Sequence, residues 1–302
     1  MTRKSWIGCT ILASFMLAGV VFSMSPEKSG KTKTIKIGMV KTIFKDAPES
    51  LLQIIMKPFR SVMEAQTGMQ SDLVMVANHR KLARQLLDGE TQFGVFHGFE
   101  FGWAKARHPE LQPLMLAVNV KTPLYAYLVV NKESEMKSAD QLIGKNLAIL
   151  RGNREHCRLF FEHRILPVGK APKDYFGKVS GNLDHEDAFD GLGDGDFHAV
   201  LADHPAWENY KTQKPGRAEK LSALMISEHF VPAVIAYNPA KLDKETMNNF
   251  RGGMLSASSN PSSKRMLEFV KISSFEKIPE QFDKQLADSV KSYPAPTPDL
   301  AD

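Results

Sequence analysis

The 302-residue sequence contains only two cysteines, Cys9 and Cys157. Cys9 lies inside an N-terminal apolar run, so a chain that loses this run keeps one thiol and no intramolecular disulfide, and packing alone must stabilise it. Charge of one dominant sign is also missing. The formal net charge is +5, and Arg3 and Lys4 at the N-terminus carry two of those charges. So small an excess over this length argues against nucleic acid as a partner, while still favouring small anions wherever the positive groups converge. No internal repeat and no long low-complexity tract interrupts the chain. Catalytic signatures are absent as well: there is no Gly-x-Ser-x-Gly elbow, no His-Glu-x-x-His pair and no glycine-rich phosphate loop. Asp190, Asp194 and Asp196 miss the spacing of a calcium loop. His156 and His163 stand two helical turns apart, too far to chelate one ion alone. Neither a metal nor a cofactor is therefore expected, and Cys157, on the apolar stripe of a helix, reads as core rather than nucleophile.

Long apolar runs are confined to residues 6–22, which follow Arg3 and Lys4 and precede small and polar residues. That layout is a secretory signal, with cleavage expected near Ser23, so residues 1–23 are read as signal peptide and the protein as periplasmic. At about 17 residues the run is at the lower edge of a membrane span, and a retained N-terminal anchor is the alternative. Residues 25–33 read as a polar linker, and residues 294–302, with three prolines, as a flexible tail.

Between these ends, strand and helix signals alternate almost without a break. Period-two or continuous apolar segments at 34–40, 72–77, 92–96, 113–118, 125–130, 146–150, 176–179, 197–201, 221–226 and 233–237 predict strands. Helical spacing predicts helices over 49–66, 99–107, 153–165 and 184–192, another that begins near Pro205, and C-terminal helices over 243–255, 261–271 and 280–291. Asn78 is placed to cap a helix carrying Leu82, Leu86 and Leu87, which Asp88 and Gly89 end. This grammar calls for an α/β protein with largely parallel sheets. Its length suits two lobes: residues 34–122 plus 229–293 as the first, and 123–228 as the second. The chain then crosses between lobes twice, near residues 120–123 and 228–232. Those segments would act as hinges around a cleft into which the carboxyl ends of both sets of strands point.

Candidate site residues follow from that geometry. Arg151, Gly152, Asn153 and Arg154 leave a buried strand and enter a helix, a place where free amides and arginines can hold an anion. His97 directly follows a strand, and His79 opens the next helix after another; an imidazole there can donate to an anionic oxygen. His185 opens a helix, Asp203 ends a strand, and Tyr125 or Tyr127 can face the cleft, but alternation sends these two rings to opposite sides. Each residue also has a plainer reading as a cap, a packed ring or a solvated charge.

Several segments carry a family resemblance: Lys36-Ile37-Gly38, Thr67-Gly68, the stretch from Leu87 through Val95, the stretch from Tyr125 through Asn131, the stretch from Ser138 through Lys145, and His185-Glu186-Asp187-Ala188. In order and spacing the chain resembles the phosphate, phosphite and phosphonate substrate-binding proteins of ABC transporters, over about residues 35–291. The resemblance implies the type-2 periplasmic binding fold, a two-lobed α/β architecture in which each lobe is a mostly parallel sheet flanked by helices, with the ligand in the cleft between them. It also implies a monomer that binds a small anionic solute, passes it to a membrane permease and performs no chemistry. The family's oxyanion-holding positions fall on Gly152, Asn153 and Arg154, on His185, and on His79 and His97. The helix start lacks the family's serines, and Phe230-Val231-Pro232 lacks an acid, so the resemblance does not extend to 2-aminoethylphosphonate. A sensory or scaffold protein of the same fold, or a secreted enzyme using Cys157 and the histidines, are the competing readings.

Overall fold

A computed structural model describes residues 34–44, 49–119 and 122–296 of the chain. The expected signal segment and linker, residues 120–121 of the first crossover and the tail from residue 297 lie outside the described residues. In chain order the strands are β1 (Thr34–Val40), β2 (Gln70–Val76), β3 (Phe93–Phe96), β4 (Gln112–Val118), β5 (Ala126–Asn131), β6 (Asn146–Leu150), β7 (Lys178–Leu183), β8 (Ala199–Asp203), β9 (Leu221–Ile226), β10 (Ala233–Tyr237) and β11 (Ser274–Glu276). They form two sheets, one ordered β11-β4-β10-β3-β1-β2 and the other β7-β6-β8-β5-β9.

The pairings are mixed rather than simply parallel. In the first sheet β1 pairs in parallel with β2 and β3, whereas β10 lies antiparallel between β3 and β4. In the second, β6 pairs in parallel with β7 and β8, whereas β5 lies antiparallel between β8 and β9. Apart from the short edge strand β11, only β5 and β10 run against their neighbours, and both begin just after a crossover. Each enters its sheet beside the carboxyl ends of the forward strands: Ala126 pairs with Asp203, and Val234 with Phe96. Because each crossover delivers the chain to those ends, the residues after β1, β3 and β4 look across the connections toward those after β6 and β8. This is the two-lobed α/β arrangement.

Alternation within strands divides the first sheet's core in two. Ile35, Ile37 and Met39 of β1 and Ile235 of β10 pack on the helix Glu49–Thr67, while Val234 and Ala236 face the helices His79–Asp88 and Gly98–Arg107. The helices Lys244–Ser256 and Pro261–Phe269 return to cover Glu49–Thr67, which runs unbroken through Pro58. Asn78 accepts a hydrogen bond from the Lys81 amide at 2.9 Å, and Gly89, at φ 79°, reverses the chain as a left-handed cap. In the second sheet, two further apolar clusters lie on opposite faces, one around Phe160, Phe161 and Phe176 and the other around Phe189, Trp207 and Tyr210.

The helix expected over 153–165 begins later. Gly152 turns the chain at φ 72°, the Asn153 amide side chain donates to the Leu201 carbonyl at 2.9 Å, and the α-helix runs Glu155–Phe160 before widening to a π-helix over Phe161–Ile165. A fifth cluster joins the two sheets: Phe99 and Trp103, Leu159 of the second sheet's helix, Phe230 of the return crossover, and Tyr293. The Trp103 indole donates to the Tyr293 carbonyl at 2.7 Å. Glu228 ties this joint to both sides, accepting from the Tyr293 hydroxyl at 2.5 Å and from Arg164 at 2.8 Å.

Gly98 opens its helix hard against the return crossover, where an added Cβ would stand 2.3 Å from the Val231 carbonyl oxygen and 2.8 Å from that of Pro232. Both are backbone atoms and cannot swing aside. Gly98→Ala is therefore expected to lower the unfolding free energy by about 1–3 kcal/mol in a urea titration. Gly181→Ala, which meets nothing within 4 Å, should leave it within about 0.5 kcal/mol. Equal stability of the two variants would mean that the crossover yields freely.

Candidate functional site

The loops at the facing strand ends border a cavity of about 680 Å³. From the first sheet come His97, after β3, and Asn119, after β4; from the second come Arg154 and His156, after β6; the return crossover supplies His229. No carboxylate belongs to its lining among the described residues, and most of its wall is apolar. It is thus not the gap lined by amides that the sequence suggested. The amides of Arg151 and Asn153 donate within the protein instead, to the carbonyls of Leu183 at 2.7 Å and Leu150 at 3.5 Å.

His97 is the inner polar group. Its ring stacks on Phe99 at 5.1 Å between centroids and 9° between planes, and its Nε2 is buried without a hydrogen-bond partner. Burial lowers the imidazole's pKa more than the nearby Thr42 carbonyl and Glu155 raise it, with Arg154 lowering it further. His156 donates from Nε2 to the Tyr125 carbonyl at 3.2 Å, and burial, with Arg154 and His97 adding to it, pushes its pKa down to about 3. Both rings are therefore neutral near pH 7, and Arg154 is the cation of the inner edge. Arg154 stands at the cap of the helix Glu155–Phe160, its Nε 3.7 Å from Asp203 Oδ2. Asp203, nearly buried at the end of β8, spends Oδ1 on the Ala206 amide at 3.0 Å. The Tyr125 ring rests 5.0 Å from His229 and 6.2 Å from His204.

Other expected residues lie elsewhere. His79 borders a separate cavity of about 120 Å³ with Arg80, Arg84 and Arg107, edge-on to Trp103 at 5.1 Å. Burial and the two arginines Arg80 and Arg107 hold its pKa at about 4. His185 opens the helix His185–Asp194 with Nε2 3.0 Å from the Asn209 amide nitrogen, and does not line the large cavity. Gly152 serves as a turn and Asn153 as a tether, as described above. Conversely, sequence reasoning missed His156 and His229 as cavity residues. His229 falls inside the expected return crossover, which was the signal available for it. Cys157 is fully buried, and burial pushes its thiol well above the ordinary range, the reverse of an activated nucleophile. Among the described residues no three His, Cys, Asp or Glu side chains are placed to hold a metal ion, and no helix is long and apolar enough to cross a membrane.

Fold and cavity together define a two-lobed α/β binding protein. The family model described as "ABC transporter, phosphonate, periplasmic substrate-binding protein" matches residues 42–281, and the chain belongs to that family. Solved structures agree on the fold. A binding-protein component of an ABC phosphonate transporter from Pseudomonas aeruginosa is 15% identical, with a TM-score of 0.55 over 86% of this chain and 88% of its own. PhnD1 from Prochlorococcus marinus, in complex with methylphosphonate, is 18% identical, with a TM-score of 0.55 over 86% and 98%. A Xanthomonas citri protein bound to ATP is 13% identical, with a TM-score of 0.60 over 86% and 96%. No curated protein matches the chain.

Glu100 lies directly behind His97. Its carboxylate accepts from the Thr42 hydroxyl at 3.0 and 3.2 Å and from the His97 amide at 3.4 Å, but burial outweighs these bonds and raises its pKa from 4.5 to about 7. Below pH 4.5 the group is protonated in both the folded and unfolded chain and costs nothing. Between 4.5 and 7 the unfolded chain ionises first, so unfolding releases a proton and stability falls as pH rises; above 7 the cost is constant, about 3 kcal/mol. Glu100→Gln is expected to gain on the parent by roughly that amount between about pH 4.5 and pH 8 in urea titrations. Parallel pH profiles for the two proteins would show that Glu100 ionises normally.

Proposed function

We propose that the chain is the extracytoplasmic solute-binding component of an ABC transporter, acting as a monomer that captures a phosphorus oxyanion or phosphonate and delivers it to a membrane permease without chemistry. Residues 34–122 with 229–293 form one lobe and residues 123–228 the other, closing about the two crossovers. The observation that carries the reading is His97 Nε2, a buried nitrogen without a partner in a cavity whose lining, among the described residues, holds Arg154 and no carboxylate. A ligand oxygen would give that nitrogen its missing bond, and Arg154 would exchange its long contact with Asp203 for a charge-assisted one. Family membership and the methylphosphonate complex of the Prochlorococcus relative support the same ligand chemistry. Neutral His156 and His229 add hydrogen-bonding capacity, and the exposed Lys271 adds a second positive group to the lining. The sealed Cys157 supports binding over catalysis.

Isothermal titration with phosphate, phosphite and a series of phosphonates, with sulfate for comparison, tests this reading. Saturable binding of at least one phosphorus oxyanion is expected. Arg154→Ala and His97→Ala should each weaken it about tenfold to a hundredfold, roughly 1.5–3 kcal/mol for a hydrogen bond to a charged group. Lack of binding by every phosphorus oxyanion would overturn the reading, and undiminished affinity in both variants would move the site.

A further inference from the structure

We infer that the ligand is an amphiphile: a phosphonate or phosphate monoester whose apolar alkyl or aryl group fills the part of the cavity lined by Met39, Met56, Phe59 and Phe275. The inference rests on the functional reading above and names the class of solute. A cavity of about 680 Å³ is of the size that takes a drug-sized molecule, many times the volume of phosphate or methylphosphonate. The wall away from the polar edge is built from Met39, Ile43, Phe44, Met56, Phe59 and Phe275. Met39, Met56, Phe59 and Phe275 belong to the buried core of the first sheet, each less than a tenth exposed, and the rings of Phe59 and Phe275 stand 6.3 Å apart. None of these six side chains can hydrogen-bond an oxyanion, so a bare anion at Arg154 would leave this wall facing only water. An apolar substituent on the same phosphorus would displace that water and gain the hydrophobic free energy of the contact.

Polarity is also separated in the way such a ligand needs. Arg154, His97, His156 and His229 gather at the interlobe side and Asn119 and Lys271 add a polar corner beyond β4, while Met39, Met56, Phe59 and Phe275 come from the first sheet and the helix Glu49–Thr67. Two methionines on the apolar wall suit a chain of variable shape, since the unbranched thioether adapts to what it contacts. Among the described residues the lining holds Arg154 and Lys271 and no carboxylate, which sets the sign of the head group, because an alkylammonium would meet two cations and no counter-charge.

Titration of the full protein with methylphosphonate, phenylphosphonate, octylphosphonate and 1-octanol decides the matter. Octylphosphonate is expected to bind at least a hundredfold more tightly than methylphosphonate, with phenylphosphonate between them, and more tightly than 1-octanol. Ala117→Phe, which places a ring in the cavity from β4, should reduce the ratio of octylphosphonate to methylphosphonate affinity at least tenfold. Should that variant fold poorly, the methyl resonances of Met39 and Met56 in the parent give the same information: octylphosphonate should shift both and methylphosphonate neither. Equal binding of methylphosphonate and octylphosphonate, or unmoved methionine resonances on octylphosphonate binding, overturns the inference and leaves the oxyanion function standing. Binding of 1-octanol as tight as octylphosphonate, or no binding of any phosphonate, overturns the oxyanion function and the inference together.

Discussion

Two strands that run the wrong way govern the rest of the molecule. β5 and β10 each enter a sheet from a crossover, next to the carboxyl ends of that sheet's forward strands. A strand fed from the far side of its own sheet would need no such reversal. Insertion here means that the connections, and the loops after β3, β4, β6 and β8, share one space. The joint of Phe99, Trp103, Leu159, Phe230 and Tyr293 holds that space at one side with aromatic contact and with the hydrogen bonds of Trp103 and Glu228. Gly98 lets the return crossover pass within backbone contact of a helix start, so His97 and the crossover residue His229 border one cavity.

Inside that space, burial decides which groups carry charge. Water is scarce around His97, His156 and Glu100, and each is driven toward its neutral form. Arg154 is different, since a guanidinium stays ionised whatever its surroundings. Its partner Asp203 sits at 3.7 Å and is already committed to capping a helix, so the pair is loose. The result, among the described residues, is two cations, Arg154 and the exposed Lys271, with three imidazoles and no acid against an apolar wall. Such a set favours an anion by sign and by unmet hydrogen bonds, without paying the cost of several buried charges in the empty state.

Much of this fold was legible in the sequence because its strands are short apolar runs bounded by Asn, Asp and Gly. Asn78, Asp88 and Gly89 bracket their helix, and ten strand segments stand close to where periodicity puts them. β11 escaped notice because three residues are too few to show a period, and its pairing to β4 depends on a helix pair that returns from far along the chain. The reversed direction of β5 and β10 was hidden for a related reason: strand direction belongs to topology, and hydropathy carries no record of it. Of the residues lining the candidate site, His97 stands out in the sequence because it directly follows a buried strand, and Arg154 because it stands at the helix start after one. His79 and His185 share that local grammar, yet one turns to Trp103 and the other to Asn209. Their side chains answer to neighbours some 24 residues away, which no local pattern encodes.

The apolar wall was invisible for a deeper reason. Met56, Phe59 and Phe275 look like ordinary core in the sequence, and they are core by burial; a cavity is a place where such residues do not meet. Its size limits what it can be. At roughly 24 cal/mol per Å³, a sealed dry void of about 680 Å³ would cost on the order of 16 kcal/mol, as much as a domain's whole stability. A space this large cannot be an accident of loose packing tolerated in a closed core. It must hold water admitted past the polar edge, or a guest. Water against methionine and phenylalanine is the less favourable filling, so the same side chains that hold the first sheet together also create the demand for an apolar occupant. With the ligand inferred above, the fold's stability and its ligand preference rest on one set of residues. In the proposed function, closing the lobes on such a guest would remove apolar surface from water on both the protein and the ligand, and would couple binding to closure more strongly than an anion at Arg154 alone.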